Sequence, residues 1–149
     1  MNIIYSNGAI TKATTDINFN KIFKEGQAFK VCQAPRDDHK GSGEEAAFID
    51  IAADEQHKSH CAIYNENLGL ALGLSFDKRQ LPWLTNWQHW GKGEYVTGLE
   101  PGTNPPLGQQ KLRERKELIM LKPREKRTYE LSIHLSDTDA GIQEIINKN

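Results

Sequence analysis

The 149-residue chain is poor in cysteine: Cys32 and Cys61 are the two it has, 29 positions apart. That spacing matches no zinc or redox motif, and a chain of this length can bury a real core without disulfides or metal. No cofactor and no metal centre is expected. It also lacks a basic start and a long apolar run: Met1-Asn2-Ile3-Ile4-Tyr5 does not open like a signal peptide, and no segment approaches a membrane span. A reduced cytoplasmic protein is therefore the expectation. Net charge is only -1, so no global field draws in nucleic acid or a membrane surface. Internal repeats and low-complexity linkers are missing too, which leaves one domain over residues 1–149.

What is present reads as strands. Asn7-Gly8 stands between Ile3-Ile4-Tyr5 and Ala9-Ile10, a hairpin cue. Gln27 to Gln33 and Ala47 to Ala52 are strand candidates, and the polar stretch Arg36 to Glu45 is a loop. The clearest pattern is Leu68 to Phe76, where even positions are large and apolar and odd ones are Gly, Ala or Ser. Strict period two turns one face toward a core. Its bare face admits either close packing by another sheet or the approach of a ligand to the backbone. Arg127 to Leu135 repeats the alternation, and it predicts Tyr129, Leu131, Ile133 and Leu135 facing in. A terminal helix is expected over Ala140–Asn147, capped by Asp137 or Asp139, with a weaker helical signal over Arg113–Leu118. The fold class these signals point to is all-β, an antiparallel β-sandwich or part of one.

Charge is unevenly placed. Arg36 to His60 carries seven acidic and three basic side chains, and Gln109 to Arg127 eight basic and three acidic. Two solvated surfaces are one reading, and a phosphate-binding patch is the other. The basic segment is interleaved with Glu and has no aromatic stacking partners, so RNA is not an expected partner. His57, His60 and Cys61 suggest a metal, but on a strand His57 and His60 point to opposite faces and no fourth ligand is spaced nearby. Gly41-Ser42-Gly43 is too short for a phosphate loop.

Chemistry concentrates in Leu81 to Gly108. All three tryptophans, Trp83, Trp87 and Trp90, fall here with Asn86, His89 and Tyr95, and Glu100 stands beside Pro101 and Gly102 at the end of a strand-like segment, Tyr95–Leu99. Pyranose rings lay C–H faces on aromatic rings and need paired donors and acceptors for their hydroxyls. The opposing reading is that the tryptophans fill a core. Their spacing of four and three suits a helix better than one strand face.

Leu81-Pro-Trp-Leu-Thr-Asn-Trp87, followed by Gly93-Glu-Tyr-Val-Thr-Gly-Leu-Glu-Pro-Gly102, resembles the carboxy-terminal signature of the aldose 1-epimerase (galactose mutarotase-like) family, above all its uncharacterised aldose 1-epimerase-like branch. Leu121, Pro123 and Glu125 before the alternating Tyr129–Leu135 are similar as well. The likeness covers the last half to two-thirds of the chain. It implies part of a galactose mutarotase-like supersandwich and a carbohydrate-binding, aldose 1-epimerase-like protein. In that family a carboxylate takes the proton of the anomeric hydroxyl and a histidine protonates the ring oxygen. Glu100 aligns with the carboxylate, and Trp87 with a tryptophan near the sugar. Asn86, His89 and Tyr95 are further expected substrate contacts. Family members are about twice as long, and their histidines come from the amino-terminal half. Asp16-Ile17-Asn18-Phe19 aligns faintly with a family segment that puts histidine where Asp16 stands. Three readings follow: an isomerase, a non-catalytic sugar-binding module, or a short form that needs a homo-oligomeric or other partner to complete the sandwich.

Overall fold

The computed structural model describes residues 1–5, 10–14, 30–41 and 43–148. The expected Asn7-Gly8 turn, the Asp16–Phe19 segment, the start of the Gln27–Gln33 strand and Ser42 lie outside them. Among the described residues, eight strands and two α-helices follow in chain order: β1 (Asn2–Tyr5), β2 (Ile10–Thr14), β3 (Glu45–Ile51), β4 (Lys58–Asn65), β5 (Leu70–Asp77), β6 (Trp83–Gly91), β7 (Glu94–Gly102), α1 (Gln109–Glu114), β8 (Leu131–Ser136) and α2 (Asp139–Asn147). They form two four-stranded sheets, β1-β4-β5-β8 and β2-β3-β6-β7. Every strand pairing is antiparallel. The fold is an all-β sandwich.

The alternation in β5 does what it predicts. Leu74 and Phe76 enter the core with Cys61 of β4, Ile3 and Tyr5 of β1, and Ala47, Ile49, Ile51 and Leu84 of the opposite sheet. Fully burying an aliphatic or aromatic side chain of this size contributes about 1.5–3 kcal/mol, so this cluster dominates stability. Burial pushes the Cys61 thiol up to about 12; it is an inert core residue. The bare face of β5 is covered by α2, a helix rather than the sheet considered from sequence. Ile142 and Ile145 pack on Ala71 and Ala62. A Cβ on Gly73 would stand 3.1 Å from Ile145 Cγ2, so glycine here lets the helix come close.

Local chemistry sets the connections. Asn65 Oδ1 accepts from Leu68 N–H at 3.3 Å, and Gly69 (φ 58°) provides the left-handed turn between β4 and β5. Helix α2 is capped by Thr138, whose Oγ1 accepts from Gly141 N–H at 3.3 Å, and not by Asp137 or Asp139. Helix α1 begins at Gln109 and ends at Glu114, earlier than the Arg113–Leu118 expectation. Outside the core, His60 bridges Ser75 Oγ (2.8 Å) and Asp54 Oδ2 (3.3 Å) across β4 and β5. His60 and Cys61 face opposite sides of β4, and among the described residues no three His, Cys, Asp or Glu side chains converge as metal ligands.

One expectation holds and one needs correction. The tryptophans do not share one face: their stretch is a strand, β6. Trp90 lies in the interior, while Trp83 and Trp87 share the outer face, so a helix-like spacing arises from aromatics on both sides of one strand. The inward row of β8 is open. Leu131, Ile133 and Leu135 lie opposite Phe76, Leu74 and Leu72 and so share the core side of the sheet, yet they are 43, 65 and 67% exposed. The second sheet does not cover them.

Candidate functional site

The outer face of β2-β3-β6-β7 carries the candidate site. A two-residue turn, Lys92-Gly93, joins β6 to β7 with Gly93 at φ 82°, which pairs Thr85 with Glu100, Trp87 with Gly98 and His89 with Val96. Directly paired residues share a face, so this register brings Trp87, His89 and Glu100 to one side.

Glu100 is exposed and folds back over the neighbouring row. A Cβ on Gly98 would lie 2.5 Å from Glu100 Oε1 and 3.3 Å from its Cδ. Because Gly98 is opposite Trp87, its missing side chain leaves the carboxylate a seat beside the tryptophan row. The indole is itself held: Trp87 Nε1–H donates to Glu44 Oε2 at 2.7 Å. Its ring lies nearly parallel to His89 (8°, centroids 6.3 Å), and His89 stacks in turn on His39 (19°, 6.1 Å).

Hydrogen bonds decide the histidine tautomers. A carbonyl only accepts, so His89 Nδ1–H donates to Gly43 O and Nε2 faces Glu94 Oε2 at 3.4 Å. His39 Nδ1 accepts from Trp90 N–H at 3.0 Å, so a neutral His39 carries its proton on Nε2. Trp87, His89, Glu44, Glu94 and Tyr95 line a shallow depression of about 480 Å³.

The other two expected contacts sit differently. Asn86 is fully buried and points into the sandwich, where Nδ2 donates to Tyr5 Oη at 2.7 Å and Oδ1 accepts from Thr97 Oγ1 at 3.2 Å. It supports the strand pair from below and offers no sugar contact. Tyr95 tilts against Trp90 (4.8 Å, 33°) and donates its hydroxyl to Gln33 O. Paired with Trp90, it sends its ring to the opposite face of the sheet and only borders the depression. Glu44 and Glu94 were not singled out from sequence, and Gly98 entered there only as part of the family-like motif, with no role. Only pairing across strands reveals their roles, although the odd-numbered positions of β6 and the short turn would have led to Gly98.

All five histidines of the chain, His39, His57, His60, His89 and His134, fall among the described residues, and none stands in the row of Glu100. His89 is four residues along β6 from Thr85, a span of roughly 13 Å at strand rise. An acid and a base serving the two oxygens on one anomeric carbon must converge within a few ångströms. The backward fold of Glu100 closes part of that distance, and His89 is turned to the far end by Gly43 and Glu94. His57 lies in the turn before β4, and His60 and His134 on the other sheet.

The family described as Domain of unknown function (DUF4432) matches residues 6–135. The chain belongs to this family. A crystal structure from Klebsiella pneumoniae subsp. pneumoniae MGH 78578, provisionally described as an aldose 1-epimerase, superposes with a TM-score of 0.71 at 29% identity over 81% of the chain. The DUF4432 chain spans 31% of that protein's length. No protein of curated function matches it. Among the described residues, no helix is long and apolar enough to cross a membrane.

Proposed function

We propose that this DUF4432 protein binds a free sugar on the outer face of β6 and β7, with Trp87 as the stacking platform and Glu100 as the base-side carboxylate of an aldose 1-epimerase-like site. One observation carries the reading: Glu100 folds over Gly98 to the position opposite Trp87, in a chain similar to a protein described as an aldose 1-epimerase. A pyranose lying on the exposed side of Trp87 would present its C–H face to the indole and its anomeric hydroxyl to Glu100. Glu100 would take that proton as the bond from C1 to the ring oxygen breaks and that oxygen takes a proton from water; closure on the other face of the carbonyl, with the hydroxyl proton going back to water and Glu100 returning its own to the new anomeric oxygen, would give the opposite anomer.

A second reading, a sugar-binding module without turnover, is favoured by the placement of the histidines, since none shares the row of Glu100. Polarimetric mutarotation of α-glucose and α-galactose separates the two, with tryptophan fluorescence reporting binding. Acceleration that Glu100→Gln reduces by at least about 100-fold, the lower range for a general base, supports the isomerase. Gly98→Ala, which drives a methyl into the seat of Glu100, is expected to follow it. A fluorescence shift without acceleration supports the module. Neither signal with any common hexose or pentose removes the sugar reading.

A further inference from the structure

Each sheet has two end strands, and three of the four are guarded against pairing with another chain. β1 has only four residues, and residues 30–32 cover its outer side: Ile3 N–H donates to Lys30 O at 2.8 Å and Cys32 N–H to Met1 O at 3.1 Å. β2 carries a register shift between Ile10 and Lys12. β7 carries Glu94, Glu100 and Pro101. Shortness, charge, proline and irregularity are the usual protections of an edge. β8, Leu-Ser-Ile-His-Leu-Ser, has no Lys, Arg, Asp, Glu or Pro and pairs with β5 without a break over its six residues. No described residue pairs with its far side. It also bears the open apolar row Leu131, Ile133 and Leu135.

We propose that β8 is a self-association edge, on which a second copy of the chain pairs antiparallel, β8 to β8, about a two-fold axis at Ile133. Residues directly opposite in an antiparallel pair share a face. The register centred on Ile133 sets Leu131 opposite Leu135 of the second copy, Ile133 opposite itself, and Ser132 opposite His134. All three apolar side chains then meet apolar partners, as a self-complementary isologous contact requires. Charge agrees: Glu130 falls opposite Ser136 and Asp137 opposite Tyr129, so no like charges face each other. The neighbouring registers are worse. Centring on His134 puts Leu131 against Asp137 and His134 against itself, and centring on Ser132 leaves only residues 131–133 paired strand to strand. The pairing joins the two β1-β4-β5-β8 sheets into one and satisfies the free backbone groups of both edges. It does not depend on the sugar reading.

Sedimentation velocity on the whole chain across a wide concentration range, with Ile133→Lys beside wild type, is the test. Wild type is expected to move from monomer to dimer as concentration rises. The lysine variant is expected to stay monomeric with an unchanged circular-dichroism spectrum, because Ile133 is 65% exposed in the single chain. Mild oxidation of Ile133→Cys should give a covalent dimer. Leu131→Cys should not, since residue 131 would stand roughly 13 Å along the strand from its own counterpart, beyond disulfide reach. Wild type controls for Cys32 and the buried Cys61. A concentration-independent monomer, a dimer indifferent to Ile133→Lys, or equal cross-linking at positions 131 and 133 would each overturn the proposal. The last two outcomes would point to another surface, and a monomer that pairs only with a separate strand-bearing chain would assign the edge to that partner instead.

Discussion

β5 and β8 lie side by side in one sheet and carry the same period-two pattern, yet β5 is a core strand and β8 an open one. Leu74 and Phe76 have the whole second sheet above them. Ile133 and Leu131, opposite them in the neighbouring strand, have none. The difference lies neither in hydrophobicity nor in register. It lies in how far the second sheet extends. Alternation says which side chains share a face; whether that face is covered depends on a layer contributed by other parts of the chain or by another molecule.

The largest expected break in this comparison is Phe76→Ala. At 1% exposure, the ring leaves a cavity that cannot fully collapse, and a loss of about 3–5 kcal/mol in urea unfolding is expected. A loss under ~1 kcal/mol would mean that β5 is no more a core strand than β8.

An intermediate effect comes from acid. Asp77 ends β5, and its hydrogen bonds from Arg79 hold its carboxyl well below the usual carboxylate range. A depressed folded-state pKa stabilises the protein above the ordinary value of about 4 and is lost as pH falls below it toward the folded value. Melting temperature should therefore drop through that acid window in wild type. Asp77→Asn should be less stable than wild type near neutrality, with the gap narrowing as pH falls. A gap that does not change with pH would show that the ion pair contributes nothing at the end of β5.

The smallest effect is expected at Ile133→Ser. Measured at low concentration, where single chains prevail, it should change unfolding free energy by no more than about 0.5 kcal/mol, as for an exposed position. A core-sized loss there would mean that β8 is covered in the single chain.

Much of the strand order of events was legible. β3, β5, β7 and the terminal helix follow from alternation and from the signals at helix ends. β6 was not, because its two faces are both occupied by large side chains: Leu84 and Trp90 inside, Trp83, Trp87 and His89 outside. A strand with ring-bearing residues on both faces hides its period. Trp87 and Glu100 were legible as site candidates through the family motif, and Asn86 was misplaced because its partners, Tyr5 and Thr97, lie 81 and 11 residues away. The opening of the β8 row had no signal at all in its own residues.

The sequence by itself determined the class of fold, the pairing parity of the alternating strands and the residues that carry the family likeness, because each depends on local spacing and on turn chemistry. Tertiary structure alone decided three things: that Glu100 folds beside Trp87, that α2 covers the bare face of β5, and that β8 is left open. Each depends on which distant segments arrive overhead, and a two-residue period carries no information about that.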